Sequence, residues 1–130
     1  MKSKVLQWLR EWEVLINGQD FAKARTLFAE DVISFGTFSE ILNGLSDLEA
    51  RQWRVIWPTI AGFTFDDPQV VISGDTTIVI SLWHSKGKTR DDGWYDRKGR
   101  ATLVLRQDGE RLLCIHSHLS MEPGIPPLSA

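Results

Sequence analysis

The sequence predicts an α+β domain: three N-terminal helices packed on one face of a curved antiparallel sheet of about six strands, enclosing a pocket. Up to Pro58 apolar residues recur at three- and four-residue steps, and from Phe63 onward the period falls to two. Helices followed by a run of long strands is an α+β order. The length of 130 residues fits a single domain.

Ser3 opens a first helix in which Val5, Leu9, Trp12, Leu15 and Ile16 form the apolar stripe, and Asn17-Gly18 stops it. Asp20 caps a second helix carrying Phe21, Ala24, Leu27 and Phe28. Val32, Ile33 and Phe35 read as a short strand ending near Gly36, and Glu40 to Leu42 as another closed by Gly44. Ser46 with Glu49 is a capping box for a third helix bearing Leu48, Trp53, Ile56 and Trp57, which Pro58 ends. Four strands follow at 63–72, 76–86, 94–107 and 111–121, separated by turns at Ser73-Gly74-Asp75, Asp91-Asp92-Gly93 and Asp108-Gly109. The Pro-rich end cannot continue a strand, so the expected domain spans 1–130, with its core at about 3–123 and an exposed tail at 124–130.

Fifteen basic against 17 acidic residues leave a net charge of -2. That balance lacks the basic excess that nucleic acid or an anionic membrane attracts. Cys114 is the only cysteine and sits in an apolar run, which leaves no disulfide framework and no cysteine-based zinc site. No apolar stretch reaches 18 residues and the first residues are not a signal peptide, so a cytoplasmic, non-membrane protein is expected.

The chemistry-bearing residues gather in the strands. Strict alternation puts Leu112, Cys114, His116, His118 and Ser120 on one face of the last strand, apolar at one end and polar at the other, as a ligand pocket would be. With Gly109 as the bulge residue of a three-residue loop, Arg106 faces Glu110, Arg100 faces His116 and Thr102 faces Cys114. The same rule at the preceding loop gives a row His84, Arg100, His116, with the three histidines at one end of the sheet. Arg100 within that row repels a cation and no carboxylate stands at ligand spacing. Hydrogen-bonded pocket histidines are therefore preferred to a metal site, and no cofactor is implied. Glu40 is a further polar candidate. Trp57, Trp94 and Tyr95, at a helix end and beside a polar turn, are candidates for the pocket mouth, whereas Trp8, Trp12 and Trp53 read as core or interface. Both faces of the last strand are substantially apolar, which implies a partner subunit on the outer one.

The run Phe35-Gly36-Thr37, then Glu40 and Gly44, together with Gly99 to Leu105 and Ile115-His116-Ser117-His118-Leu119-Ser120, resembles the SnoaL-like branch of the nuclear transport factor 2-like superfamily. It is also similar to the association domain of calcium/calmodulin-dependent kinase. The resemblance covers about residues 3 to 123. It implies a cone-shaped α+β fold around a deep pocket and a homodimer through the outer sheet face. It also implies a choice among isomerases, dehydratases, cyclases and non-catalytic binding or association domains, which the fold does not make. The central Tyr and Asp pair of the ketosteroid isomerases has no counterpart here, since the only tyrosine is Tyr95.

The expected function is therefore a homodimeric small-molecule-binding domain. Its ligand, a small organic molecule bearing a carboxylate or another polar oxygen, is held by Arg100, His116 and His118, with Thr102, His84, Glu40, Trp57, Trp94 and Tyr95 as further lining. The alternatives are a cyclase, isomerase or hydratase in which His116 or His118 is the catalytic acid or base, and a homo-oligomeric association module.

Overall fold

A computed structural model of the chain describes residues 1–124, 126 and 127. Of the expected tail, Gly124, Pro126 and Pro127 are exposed; residues 125 and 128–130 lie outside the described residues. In chain order the elements are α1 (Lys2–Asn17), α2 (Phe21–Arg25), β1 (Phe28–Phe35), β2 (Ile41–Asn43), and a composite helical run. That run comprises α3 (Leu45–Leu48), a π-helical turn (Glu49–Trp53), α4 (Arg54–Ile56) and a 3-10 turn (Trp57–Thr59). Then come β3 (Ile60–Ser73), β4 (Thr76–Lys88), β5 (Trp94–Asp108) and β6 (Arg111–Met121).

The six strands form one sheet in the order β2-β1-β6-β5-β4-β3. β3 to β6 are the expected antiparallel meander, and β1 joins it parallel to β6, so the sheet is mixed. Two bulges bend β3, between Ala61 and Thr64 and between Asp66 and Gln69, where Gly62 and Asp67 take positive φ values of 66° and 47°. Bulges of this kind increase local twist and bend their strand.

Helix α1 lies against β3 and fills backbone positions that a neighbouring strand would otherwise take. Asn17 Nδ2 donates to the Phe63 carbonyl (3.1 Å), Asn17 Oδ1 accepts from the Phe63 N–H (2.8 Å), and Glu13 Oε2 accepts from the Phe65 N–H (2.7 Å). The edge strand is thereby covered, which blocks edge-to-edge pairing there. Between helices and sheet lies an aromatic core in which Trp12 packs edge-on to Phe28, Phe28 edge-on to Trp53, and Trp53 flat on Trp57 at 4.8 Å.

Several local expectations are corrected. Met1, not Ser3, precedes the first turn of α1 and offers no side-chain cap. Asp20 does cap α2 through the Lys23 N–H (3.1 Å), but the helix ends at Arg25 and Phe28 begins a strand, because its ring is drawn into the core between Trp12 and Trp53. The Ser46–Glu49 box does not form. Helix α3 starts after Gly44, whose φ of 90° suits glycine alone, and Asp47 accepts from the Asn43 N–H. Glu49 instead bridges Arg25 (2.8 Å) and Arg54 (2.6 Å).

At the β5–β6 hairpin the turn is the two residues Gly109 and Glu110, with Asp108 opposite Arg111, so the expected Arg106–Glu110 pair is absent. Glycine with φ 63° at the first turn position, followed by a negative-φ residue, matches a II′ turn, and the opposite charges of Asp108 and Arg111 fit that register.

Two expected outcomes follow. A Cβ at Gly99 runs into the Ser120 carbonyl and the Trp83 ring; Gly99→Ala should lower stability by at least about 1–3 kcal/mol in urea unfolding. The hydrogen bond from Arg25, with Arg54 beside it, holds the Glu49 carboxyl below its ordinary pKa of 4.5 against a smaller opposing effect of burial. Its stabilisation is therefore complete above pH 4.5 and lost as the pH falls from there through the lower folded value. Glu49→Gln should remove about 1 kcal/mol at pH 7 and flatten the acid limb of the stability profile.

Candidate functional site

One residue decides which side chains face the interior. Leu105 pairs with Cys114 but Val104 pairs with His116, so Ile115 is an extra residue in β6 and a β-bulge. Before it Leu112 and Cys114 point inward; after it Ser117 and Leu119 do, and His116, His118 and Ser120 turn to the outer face. The unbroken alternation expected for this strand therefore fails at Ile115, and His116 and His118 are not cavity residues.

The outer face assembles part of the expected cluster. Thr102 stands between Ile80 and His118, and Arg100 between Leu82 and Ser120, so the expected row His84, Arg100, His116 does not exist. His84 pairs with Lys98, four residues along β4 from Ile80, roughly 13 Å by the rise of a strand. The loop between β4 and β5 has five residues, with Asp92 at φ 63°, and this sets a register two residues away from the expected one. Arg100, Thr102, His118 and Ser120 share an open groove of about 540 Å³ with Asp66 and Gln69. His116 Nδ1 donates to the Ile33 carbonyl (2.6 Å), fixing its tautomer, and His84 Nδ1 contacts both Asp66 oxygens (2.8 and 2.9 Å). Among the described residues no group of three or more His, Cys, Asp or Glu is arranged to hold a metal ion.

The concave face holds a different set. A cavity of about 40 Å³, room for a few waters, lies between the helical run and the sheet. Its apolar wall is Trp12, Trp53, Trp57, Phe63, Trp83 and Leu119, and its polar end is Thr37, Gln52, Arg97 and Ser117. Arg97 is only 5% exposed. Its Nη1 donates to Ser85 Oγ (2.9 Å), its Nη2 approaches Thr37 Oγ1 (3.5 Å), and its guanidinium lies 5.1 Å from the Trp83 ring centre. Burial pulls its pKa below the ordinary arginine value, and the neighbouring Tyr95 phenol opposes that shift.

Gln52 comes from the π-helical turn, a distortion often found at functional sites. It donates to Thr37 Oγ1 (3.2 Å) and accepts from the Phe38 N–H (3.3 Å), filling the space that a side chain at Gly36 would need. Ser117 Oγ and Ser34 Oγ share one hydrogen bond of 2.7 Å. Burial pushes the Cys114 thiol far up, which leaves it unreactive at neutral pH.

Of the other expected lining residues, Trp57 is buried in the cavity wall and stacked between Trp53 and Phe21. Tyr95 lies on the inner side, its ring over Gly87 beside the Arg97 chain. Trp94 is exposed, with the Lys88 ammonium 5.8 Å from its ring centre, and Glu40 is exposed in the loop before β2. The residues that sequence reasoning passed over are Arg97, Gln52, Thr37 and Ser117. For Arg97 a signal existed: it occupies the inward row of β5 with Ala101, Leu103 and Leu105, an arginine where alternation demands an apolar residue.

No helix among the described residues is long and apolar enough to cross a membrane. Comparison with curated proteins finds no match. Among solved structures, a nuclear transport factor 2-like superfamily protein from Salmonella enterica serovar Typhimurium superposes with a TM-score of 0.82 at 17% identity, over 98% of this chain and 96% of that one. A nuclear transport factor 2-like protein of unknown function from Pseudomonas putida KT2440 gives 0.80 at 20% identity, over 98% and 91%. The association domain of the C. elegans kinase CaMKII gives 0.73 at 17% identity, over 92% and 94%. These likenesses show a shared fold. The family model described as a SnoaL-like domain matches residues 5–123, and the chain belongs to that family.

Proposed function

We propose that this domain binds a small organic molecule in the concave cavity without transforming it. The carrying observation is the composition of the cavity wall: hydroxyl, amide and guanidinium groups with aromatic rings and, among the described residues, no carboxylate, imidazole or thiol. Aromatic walls with a few convergent polar groups suit a ligand site. General acid–base catalysis needs a group that exchanges a proton near the working pH, and neither an arginine nor a glutamine does so.

The polar end assigned from sequence to Arg100, His116 and His118 passes in this reading to Arg97, Thr37, Gln52 and Ser117. The cavity is narrow, so a ligand larger than a few waters has to push back the helical run. The π-helical turn contributes Gln52 and Trp53 to the part of that run that faces the cavity.

A second reading concerns association. Ile33, Ile41, Val71, Ile80 and Leu82, each 45–62% exposed, spread over the outer face of the sheet. An apolar face of that kind fits a homodimer formed through it. The enzymatic alternative would use the same face, where His118 shares a groove with Arg100.

Three measurements separate these readings. Sedimentation equilibrium should give twice the chain mass for the wild type and the chain mass for Leu82→Glu; a monomeric wild type would remove the dimer. Native mass spectrometry of the purified protein should show a retained small molecule, and incubation with steroid-like and polyketide-like panels should return them unchanged. Turnover abolished by His118→Ala would move the function to the outer groove.

A further inference from the structure

The concave cavity contains a buried positive charge with no negative charge to meet it. No carboxylate of the described residues pairs with Arg97, although six Lys or Arg to carboxylate pairs are present among them, all elsewhere. The hydrogen-bond partners of Arg97 are the neutral hydroxyls of Ser85, Thr37 and Tyr95, and the contact with Thr37 is at the limit of hydrogen-bond length. A buried charge without a counter-charge is destabilising.

The groups around it share one polarity. Thr37 Oγ1 accepts from both Gln52 and Arg97, so its own hydrogen is free to donate. In the Ser34–Ser117 pair one hydroxyl hydrogen is used between the two oxygens and the other is free. The Gln52 carbonyl oxygen is engaged by the Phe38 N–H. Trp12, in the wall, carries a buried indole N–H with no partner among the described residues. The polar end is thus rich in donors and poor in acceptors, and it carries one net positive charge.

We infer that the cavity selects a monocarboxylate: an organic anion whose carboxylate meets Arg97 and the Thr37 hydroxyl while its apolar body lies among Trp53, Trp57, Phe63 and Trp83. The inference rests on the proposal that the cavity binds a small molecule, and it names the chemical class. A carboxylate is an acceptor-only, singly charged group, so it takes every donor offered and neutralises the guanidinium. An amide of the same shape brings two donors into a donor-filled end and leaves the charge unmet. An amine adds a second cation. The Ser85 and Tyr95 hydrogen bonds and the Trp83 ring 5.1 Å from the guanidinium hold it in place before a ligand arrives.

The test compares acids with their amides on the wild-type protein: acetate, phenylacetate and indole-3-acetate against acetamide, phenylacetamide and indole-3-acetamide. NMR signals of the Arg97 Nε–H and the tryptophan indole N–H groups are followed at pH 7.5. The acids should bind at least about tenfold tighter than their amides, as a charge-assisted hydrogen bond predicts, with Arg97 and the cavity tryptophans shifting together.

Arg97→Met should remove that preference and leave the melting temperature equal or higher, because an unpaired buried charge has been replaced by an apolar chain. Acids and amides binding alike would overturn the carboxylate inference and leave small-molecule binding standing. Silence of the cavity signals to both series would overturn the two together. A clear fall in melting temperature for Arg97→Met, together with acids and amides binding the wild type alike, would show that Arg97 supports the fold instead of a ligand. If that variant does not fold, the wild-type comparison of acid with amide still decides.

Discussion

The single extra residue in β6, Ile115, determines what kind of chemistry each face of the sheet can perform. Side chains alternate along a strand, so inserting one residue exchanges the faces of everything beyond it. Without the bulge the cavity would present His116, His118 and Ser120, a titratable set. With it the cavity presents Ser117 and Leu119, and the histidines stand outside. Both neighbouring strands accommodate the insertion: β5 resumes pairing at Val104 with His116, and β1 resumes at Ile33 with His116 after its own irregularity. The hydrogen bond from His116 to the Ile33 carbonyl ties the outer side of that junction, and the Ser34–Ser117 hydroxyl pair ties its inner side.

Curvature supplies the other half of the site. The bulges of β3 bend the sheet over the helices, and the hydrogen bonds from Asn17 and Glu13 hold the bent strand to α1. Glu13 is itself buried, and Arg10 at 2.6 Å balances its charge. On the opposite rim Glu49, between Arg25 and Arg54, anchors the helical run that roofs the cavity. Every strongly buried carboxylate in these supports thus has a cationic partner. Arg97 is the contrast: it is as buried as the core tryptophans, yet only hydroxyls meet it.

The order of elements was legible because it rests on period. The change from helical to two-residue spacing near Phe63 marks where the meander takes over, and the family resemblance read from Gly99 to Leu105 and from the His-Ser-His ending agrees with the matched span of 5–123. Residue placement was less legible, because it depends on register, and register depends on turn length and bulges. The Asp108-Gly109 signal announces a turn without saying that two residues close it. Nothing in the apolar run Leu112 to Ile115 distinguishes an ordinary strand residue from an inserted one, so Cys114 and His116 read as sharing a face that they do not share. Glu49 read as a capping partner because the spacing to Ser46 is right. The helix starts earlier, after Gly44, so Ser46 is not the cap, and Glu49 pairs with Arg54 in its own helical run and with Arg25 from α2, a tertiary partner that sequence spacing does not contain.

The retention of Arg97 is informative because a simpler solution was available. The neighbouring inward positions of β5 are Gly99, Ala101, Leu103 and Leu105, and an apolar residue at 97 would continue that row against Trp83 without an uncompensated charge. Its guanidinium carbon lies over the Trp83 ring at 5.1 Å, with Nη1 donating to Ser85 and Nη2 at 3.5 Å from Thr37. A structural role would be served by a carboxylate on an adjacent strand, as Arg10 and Glu13 serve each other, and the described residues place none there. What the position preserves is a charge whose favourable partner must come from outside the fold, in a cavity where the remaining hydroxyl groups still have hydrogens to give.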